Sequence, residues 1–508
     1  MDAALSHATH TAHRMALVLA LTENGAARLA DHPEFHSADA RPQHLLSRYY
    51  DTASYELARA GRSLCVTRSG NTILQTLEAV RTSGMALRRD NWEWKLRDDR
   101  PDLALLPTIM RSKPPPEELQ EIFTTDLTRI VRTLHLAPDT HVRASYDAGS
   151  MRVGATSVPV RELELELLNG AAGAVYHLAL RLHAEDPLSI MIDSPATRGF
   201  RRAAGRAPAA QKAASVRLPA ASSGAETFGR IAAACLRHLL VNQPAAMEGS
   251  VEGIHQMRVA IRRLRALLML YRPALDPRHR QHFDSELKRI GRIFGQARDW
   301  DVFCTELLPQ AGKHAELAEA VAALQAAAEP RRHGTHETFT AEALSPKFTT
   351  TILELAAWAE DGREMAGRLG RAKLARPLKS LAPRWLHRLA RKVKNRGKNM
   401  SRNNDAELHE LRKSVKKLRY GIEFTESLFA REKSRLYQKR CKALQETLGL
   451  INDSSTSVQL ARTLVRETPG DLNALEALAT YQKQRRQNGL DELRKPWKAF
   501  RREKWSWP

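Results

Sequence analysis

One helix is written twice in this chain, and the second copy keeps the register of the first. The run His255, Arg258, Arg262, Arg265 recurs as His409, Arg412, Lys416, Arg419; subtracting 255 from 409 gives 154, and every other pair gives the same offset. Beyond the helix the offset persists, with Lys288 falling on Lys442, Gly295 on Gly449 and Asp299 on Asp453. Two copies in constant register require two halves of related architecture. Basic residues at the matched positions point to one polyanion-binding surface built from both halves.

Helix geometry gives the spacing its meaning. At about 100° per residue, steps of three, seven and ten residues fall within an arc of roughly 80°, so the four basic positions of each copy form one stripe. Apolar residues occupy another face: Ile254, Met257, Ile261, Leu264 and Leu268 in the first copy, Leu408, Leu411, Val415, Leu418 and Ile422 in the second. Four cationic groups along about 15 Å of helix repel one another, which is costly unless an anion neutralises them. A single helix of this kind reads as a solvated basic face; its duplication favours a site. Arg263 and Lys417 are matched and sit beside the stripe, where they could widen it, whereas Lys413 matches Val259 and serves one half only.

Charge is unevenly placed. The net charge is +23 over 508 residues, yet residues 1–200 hold 22 Lys and Arg against 25 Asp and Glu, leaving 58 against 32 for residues 201–508. Polyanion affinity is therefore expected in the second part. A chain of this length requires at least two domains. The four cysteines, Cys65, Cys235, Cys304 and Cys441, show no metal-ligand or disulfide spacing, which fits a reducing compartment. No apolar run approaches the ~18 residues of a membrane span, and Met15–Leu21 is too brief for a signal peptide. The expected location is cytoplasmic, with no membrane partner.

Residues 203–223, rich in Ala, Ser and Pro, read as a linker between residues 1–202 and residues 224–508. After it, helical periodicity dominates, with breaks expected at Arg331–Gly334 and Asn395–Asn404 and with the repeats spanning about 224–330 and 378–490. Before it, Leu46–Thr52, Ser63–Arg68, Thr72–Leu77, Trp92–Leu96, His141–Asp147 and Val160–Leu167 read as strands separated by turns such as Ser69-Gly70-Asn71. Helices are expected at Glu117–Leu134 and Ala174–Leu182.

The segments IHQMRVAIRRLRALL and GQARDWDV, followed by LHELRKSVKKLRYGIEF and LQETLGLIND, resemble the signature of CHAD domains, an all-helical family named for its histidines. The resemblance covers roughly residues 224–508. It implies two pseudo-symmetric four-helix bundles facing a basic groove that binds inorganic polyphosphate, and an association with polyphosphate granules and their proteins. Polyphosphate is a dense line of charge without bases, so its receptor needs spaced cations but no aromatic stacking platform. The stripe has none, since Tyr271 and Tyr420 lie at or beyond its end. The expected contacts are His255, Arg258, Arg262, Arg263, Arg265, Lys288, His409, Arg412, Lys416, Lys417, Arg419 and Lys442. For His255 and His409 two roles stand open: phosphate contact, in which protonation would strengthen binding as pH falls, or a neutral ring bonded to backbone or carboxylate. Asp299 and Asp453 read as helix caps or as partners that orient the arginines. The unmatched basic tract Arg384–Lys398 reads as a solvated face, or else as an extension of the anion path.

Residues 14–200 are similar to the CYTH family, or triphosphate tunnel metalloenzymes, through RYYDTASYELARAGRSL at 48–64, QTL at 75–77, NWEW at 91–94 and RELELELLNG at 161–170. The resemblance implies an eight-stranded antiparallel barrel holding a divalent metal on carboxylates and triphosphate on Lys and Arg. Much of that apparatus is missing. Ala16, Val18 and Ala20 stand where the family has Glu-x-Glu-x-Lys, Cys65 and Thr67 replace two arginines, and Glu78, Leu168 and Pro195 replace three lysines. Asp147, Arg89, Glu93 and Arg198 remain, with Glu162, Glu164 and Glu166 as candidate metal ligands on one strand face. With most of the family's cations lost, those glutamates would be costly in a closed tunnel unless protonated or bound to metal.

The expected fold class is thus multidomain α+β: an antiparallel β tunnel or barrel with peripheral helices, then an all-α domain of two four-helix bundles. The expected function is polyphosphate binding by a degenerate tunnel domain joined to a functional helical one, with no cofactor required. A metal-dependent triphosphatase, using Mg or Mn, is the alternative; nonspecific nucleic-acid binding is a third, with nucleic acid not expected as the specific ligand.

Overall fold

The computed structural model describes residues 9–11, 15–32, 41–83, 85–106, 118–367, 370–398, 404–467, 472–504 and 507. Two compact units emerge, one formed by Met1–Ala210 with Leu344–Glu360, the other by Gln211–Ala343 with Asp361–Pro508.

The first unit is built on ten strands: β1 (Thr9–Thr11), β2 (Met15–Ala20), β3 (Gln43–Asp51), β4 (Arg62–Ser69), β5 (Thr72–Ser83), β6 (Ala86–Lys95), β7 (Gln120–Ala137), β8 (Thr140–Val153), β9 (Thr156–Asn169) and β10 (Ser189–Met191). Their order is β1-β6-β5-β4-β3-β7-β8-β9-β2-β10, and β2 also pairs with β6 through Met15 opposite Arg88 and Ala16 opposite Leu87. That last pairing closes the ring β6-β5-β4-β3-β7-β8-β9-β2 into an antiparallel barrel of eight strands, with β1 and β10 as appendages. Alternation divides the two faces of the wall. Leu64, Leu77 and Trp94 form an outer cluster with Leu57 of the turn Glu56–Arg59, while Leu163 and Leu165 are wholly buried.

One expected helix is a strand. In place of a helix at Glu117–Leu134, Gln120–Ala137 is the longest strand of the barrel. Ile122, Thr124, Thr125, Thr128, Ile130, Val131 and Thr133 are β-branched, and Phe123, Thr125 and Leu127 are buried in strict alternation. The expected helix at Ala174–Leu182 does form, as Gly173–Glu185.

The second unit is helical. Four long helices of its first half, Gly224–Val241, Val251–Leu270, Pro277–Val302 and Ala318–Ala343, correspond to Leu378–Arg396, Asp405–Thr425, Arg431–Glu467 and Leu472–Arg502 in its second half. Each helix begins 154 residues after its counterpart, so the sequence offset is also an offset of architecture. Ser223 with Glu226 and Asn404 with Glu407 form capping boxes at two of these starts. Trp300, Phe303, Leu324, Ala461, Leu464 and Leu478 share one core, drawn from both halves.

The expected break at Arg331–Gly334 is absent, because Ala318–Ala343 runs through it with Pro330 inside the helix. Burial of Leu324, Ala328, Phe339 and Ala343 along one side outweighs the hydrogen bond that proline removes. Among the described residues no helix is long and apolar enough to cross a membrane, and all four cysteines are free.

The helix Pro346–Glu360 falls inside the stretch expected to be wholly of the helical domain, yet it belongs to the barrel unit. It is apolar nearly all round, with Ile352, Leu353, Leu355, Ala356, Ala357 and Trp358 buried. At its start the His183 Nε2–H donates to the Pro346 carbonyl at 2.9 Å, while the same ring accepts from the Leu188 N–H.

Candidate anion-binding site

The matched helices Val251–Leu270 and Asp405–Thr425 pack together and line an open cavity of about 810 Å³. Twelve lysines and arginines face it, against two carboxylates, Asp284 and Glu410. Of the residues expected to bind, Arg258, Arg262, Arg265, Lys288, His409, Arg412, Lys416 and Lys417 are brought together here.

Local chemistry explains how the cations are held. Arg258 reaches Asp299 at 3.0 Å and Arg412 lies 3.9 Å from Asp453, so the two matched aspartates sit behind the two matched arginines. Arg265 is bonded to Asp284 at 2.9 Å. Burial, then Arg262 and the other nearby cations, lower the Arg258 and Arg412 guanidiniums from their usual range; Asp299 and Asp453 oppose the shift. At the centre, Lys416 is pushed down to about 6, by burial first and then by Arg412, Arg262 and Arg258. Among these cations the Lys416 ammonium is readily lost, and a neighbouring anion would favour its return.

Four expected contacts do not line the cavity. Arg263 is 1% exposed, pairs with Glu423 at 2.8 Å and lies over the Phe424 ring at 5.5 Å, fastening the first matched helix to the second. Its partner Lys417 does line the cavity, so matched positions have diverged into a fastener and a contact. Arg419 lies over Tyr420, and Lys442 lies 3.7 Å from Glu446 at the surface. The histidines differ as well. His255 is half-buried and pushed down to about 4, by burial first and then by Arg298 and Arg262, which favours its neutral ring. His409 is exposed on the cavity, its Nδ1–H donating to Asn452 Oδ1 at 2.7 Å.

Arg272, Arg280, Arg292, Lys392 and Lys413 also line the cavity. Arg280, Asp284, Lys288 and Arg292 recur every fourth residue on one helix face, a signal visible in the sequence. Matching at offset 154 hides it, because Arg280 and Arg292 fall on Ser434 and Glu446.

The barrel treats its charges differently. Antiparallel register sets Ala16, Val18 and Ala20 opposite Glu166, Glu164 and Glu162, and sets Arg143 and Asp147 opposite Glu166 and Glu162 on the other side. Arg143 bonds Glu166 at 2.9 Å, Arg198 bonds Glu162, and Arg129 grips Asp147 through two bonds of 2.6 and 2.7 Å. Burial would lower the Arg129 guanidinium, but Asp147, with Glu164 and Tyr49 behind it, raises it above its usual range. The expectation that these carboxylates lack cations is thereby corrected: arginines from β7, β8 and the helix Pro195–Ala203 bond Asp147, Glu166 and Glu162. The Arg89 side chain lies outside the described residues. Among the described residues no three His, Cys, Asp or Glu side chains are arranged to hold a metal. Arginine-bonded carboxylates facing Ala16, Val18 and Ala20 are a poor donor set for Mg or Mn.

A CHAD domain family model matches residues 230–462. The crystal structure of the CHAD domain from the plant Ricinus communis is similar at 27% identity and a TM-score of 0.51, covering 57% of this chain and 97% of that one. PptA from Streptomyces chartreusis is 15% identical with a TM-score of 0.45, over 55% of this chain and 100% of that one. A proposed adenylyl cyclase from Hippeastrum, described as revealing a dominant triphosphatase activity, is 15% identical with a TM-score of 0.28, over 38% of this chain and 96% of that one.

Proposed function

We propose that this protein binds inorganic polyphosphate in the cavity between its two matched helices and associates with polyphosphate granules through that binding. The observation that carries the reading is the imbalance of twelve cations to two carboxylates around one cavity. The CHAD domain family match at residues 230–462 supports it. Arginines supply paired N–H donors to phosphate oxygens and lysines supply compact point charge, while the aspartates behind Arg258 and Arg412 fix their directions. A linear polyanion would relieve the mutual repulsion of Arg258, Arg262, Arg412 and Lys416, release counterions and restore the Lys416 proton. The barrel, in which Arg129, Arg143 and Arg198 are each bonded to a carboxylate, serves in this reading as a scaffold without triphosphatase chemistry.

The test is titration of the full chain with long-chain polyphosphate at several salt concentrations. Replacing Arg258, Arg262, Arg412 and Lys416 together by Gln should weaken binding by roughly a hundredfold or more and lower the salt slope by about 3. Unchanged affinity in that variant would defeat the assignment. Equal competition by single-stranded DNA would favour a general polyanion site over polyphosphate.

A further inference from the structure

The helix Leu378–Arg396 carries Arg384, Arg388, Lys392 and Arg396 at intervals of four, which places them on one face. Its counterpart 154 residues earlier has Arg230, Ala234, His238 and Asn242 at those positions, with His238 and Asn242 buried. The stripe is therefore a property of the second half alone.

One end of the stripe is already part of the site. Arg396 bonds the Glu410 carboxylate at 3.0 Å and the Ser414 hydroxyl at 2.6 Å, and Lys392 lines the cavity beside Lys417. From Lys392 outward the face continues for eight residues, about 12 Å, to Arg388 and Arg384. Both are exposed, and Arg272, the last cavity-lining residue of the first matched helix region, adjoins Arg388. Among the described residues none of these three arginines has an ion-pair partner. Their crowding is electrostatically unfavourable: burial, then Arg272 and Arg384, lower the Arg388 guanidinium.

The other half offers no equivalent. Positions 154 residues beyond Arg272 and Arg292 are Glu426 and Glu446, which would repel a polyanion. At these matched positions the first half carries cations and the second half carboxylates.

We propose that Arg384 and Arg388, with Arg272 at the lip of the cavity, form an exit subsite for the continuing end of a polyphosphate chain. This subsite makes the protein selective for long chains over short ones. The inference rests on the cavity being the polyphosphate site. A short oligomer fills the cavity and gains nothing from the exit; a long one gains two further guanidinium contacts.

The experiment compares tripolyphosphate with long-chain polyphosphate on the full-length protein and on its Arg384→Gln/Arg388→Gln variant. Long-chain affinity should fall roughly tenfold and its salt slope by about 1.4, at ~0.7 per lost phosphate contact. Tripolyphosphate affinity should stay the same, and an unshifted thermal midpoint would show that the fold is retained. Equal losses for both ligands, or no loss for either, would overturn the exit subsite while leaving the cavity reading intact. A loss of the same size with single-stranded DNA would also overturn it, by showing a general basic surface. Failure of the unaltered protein to bind either phosphate would instead remove the cavity reading, and the exit with it.

Discussion

The inside of the barrel and the cavity of the helical unit are both crowded with charge, but only around the cavity are cations in excess. In the barrel each arginine just described has a carboxylate in bonding distance: Arg129 with Asp147, Arg143 with Glu166, Arg198 with Glu162. Around the cavity, cations outnumber carboxylates twelve to two, and those at the centre depress one another's protonation. A charge that has found its partner within the fold contributes to holding the fold. A charge without one is available to a ligand, at a cost to the empty protein.

The contrast can be broken in several places. The largest effect is expected at Arg263, the one matched cation turned into the interior. Arg263→Met strands Glu423 and should cost about 3 kcal/mol of stability by denaturant titration, while the folded fraction keeps its polyphosphate affinity. Loss of affinity without loss of stability would place Arg263 among the contacts after all. Next comes Asp147→Asn, which leaves the Arg129 guanidinium undercompensated inside the barrel. A loss of roughly 1–3 kcal/mol, with binding unaltered, is the expected outcome; weakened polyphosphate binding would show that the barrel charges are not confined to scaffold duty.

Lys416 gives the third test. Its folded value of about 6 lies below the ~10.4 of an unfolded lysine, so between these the unfolded chain holds more protons. The cost to the empty fold is full below pH 6 and is relieved as pH rises towards 10. Binding that restores the proton should weaken by up to about tenfold per pH unit above 6. Calorimetry in buffers of different ionisation enthalpy should record the uptake of up to one proton, and Lys416→Arg should abolish it. A wild-type protein with no uptake would contradict the coupling. The smallest difference separates the two histidines: His409→Gln is expected to weaken binding a few-fold and His255→Gln not at all, measured by the same titration. A larger loss at His255 would reverse the distinction.

Much of this was legible in the residues, and the failures are instructive. The constant offset of the basic residues recurs at the starts of all four pairs of long helices. Eight of the twelve expected contacts reached the cavity. The other four show where matching misleads: equal positions in two copies face unequal neighbours once the copies pack on each other, as Arg263 and Lys417 do. Arg280 and Arg292 are hidden for the converse reason, since a site built from two halves also recruits residues that only one half possesses. In the barrel, β7 is a strand where its sequence suggests a helix, and that difference conceals Arg129, the arginine that answers Asp147.

The helix Pro346–Glu360 has a consequence for how the chain must be made. Its unit begins at the amino terminus, yet the sequence interrupts that unit with residues 211–343 before supplying its last helix. During synthesis from the amino terminus, the barrel waits for more than a hundred residues with the surface meant for Trp358 and its neighbours uncovered, and that delay is an opening for a chaperone. A cut at the apparent linker would make the wait permanent, leaving one fragment with a bare apolar patch and the other with a surplus helix.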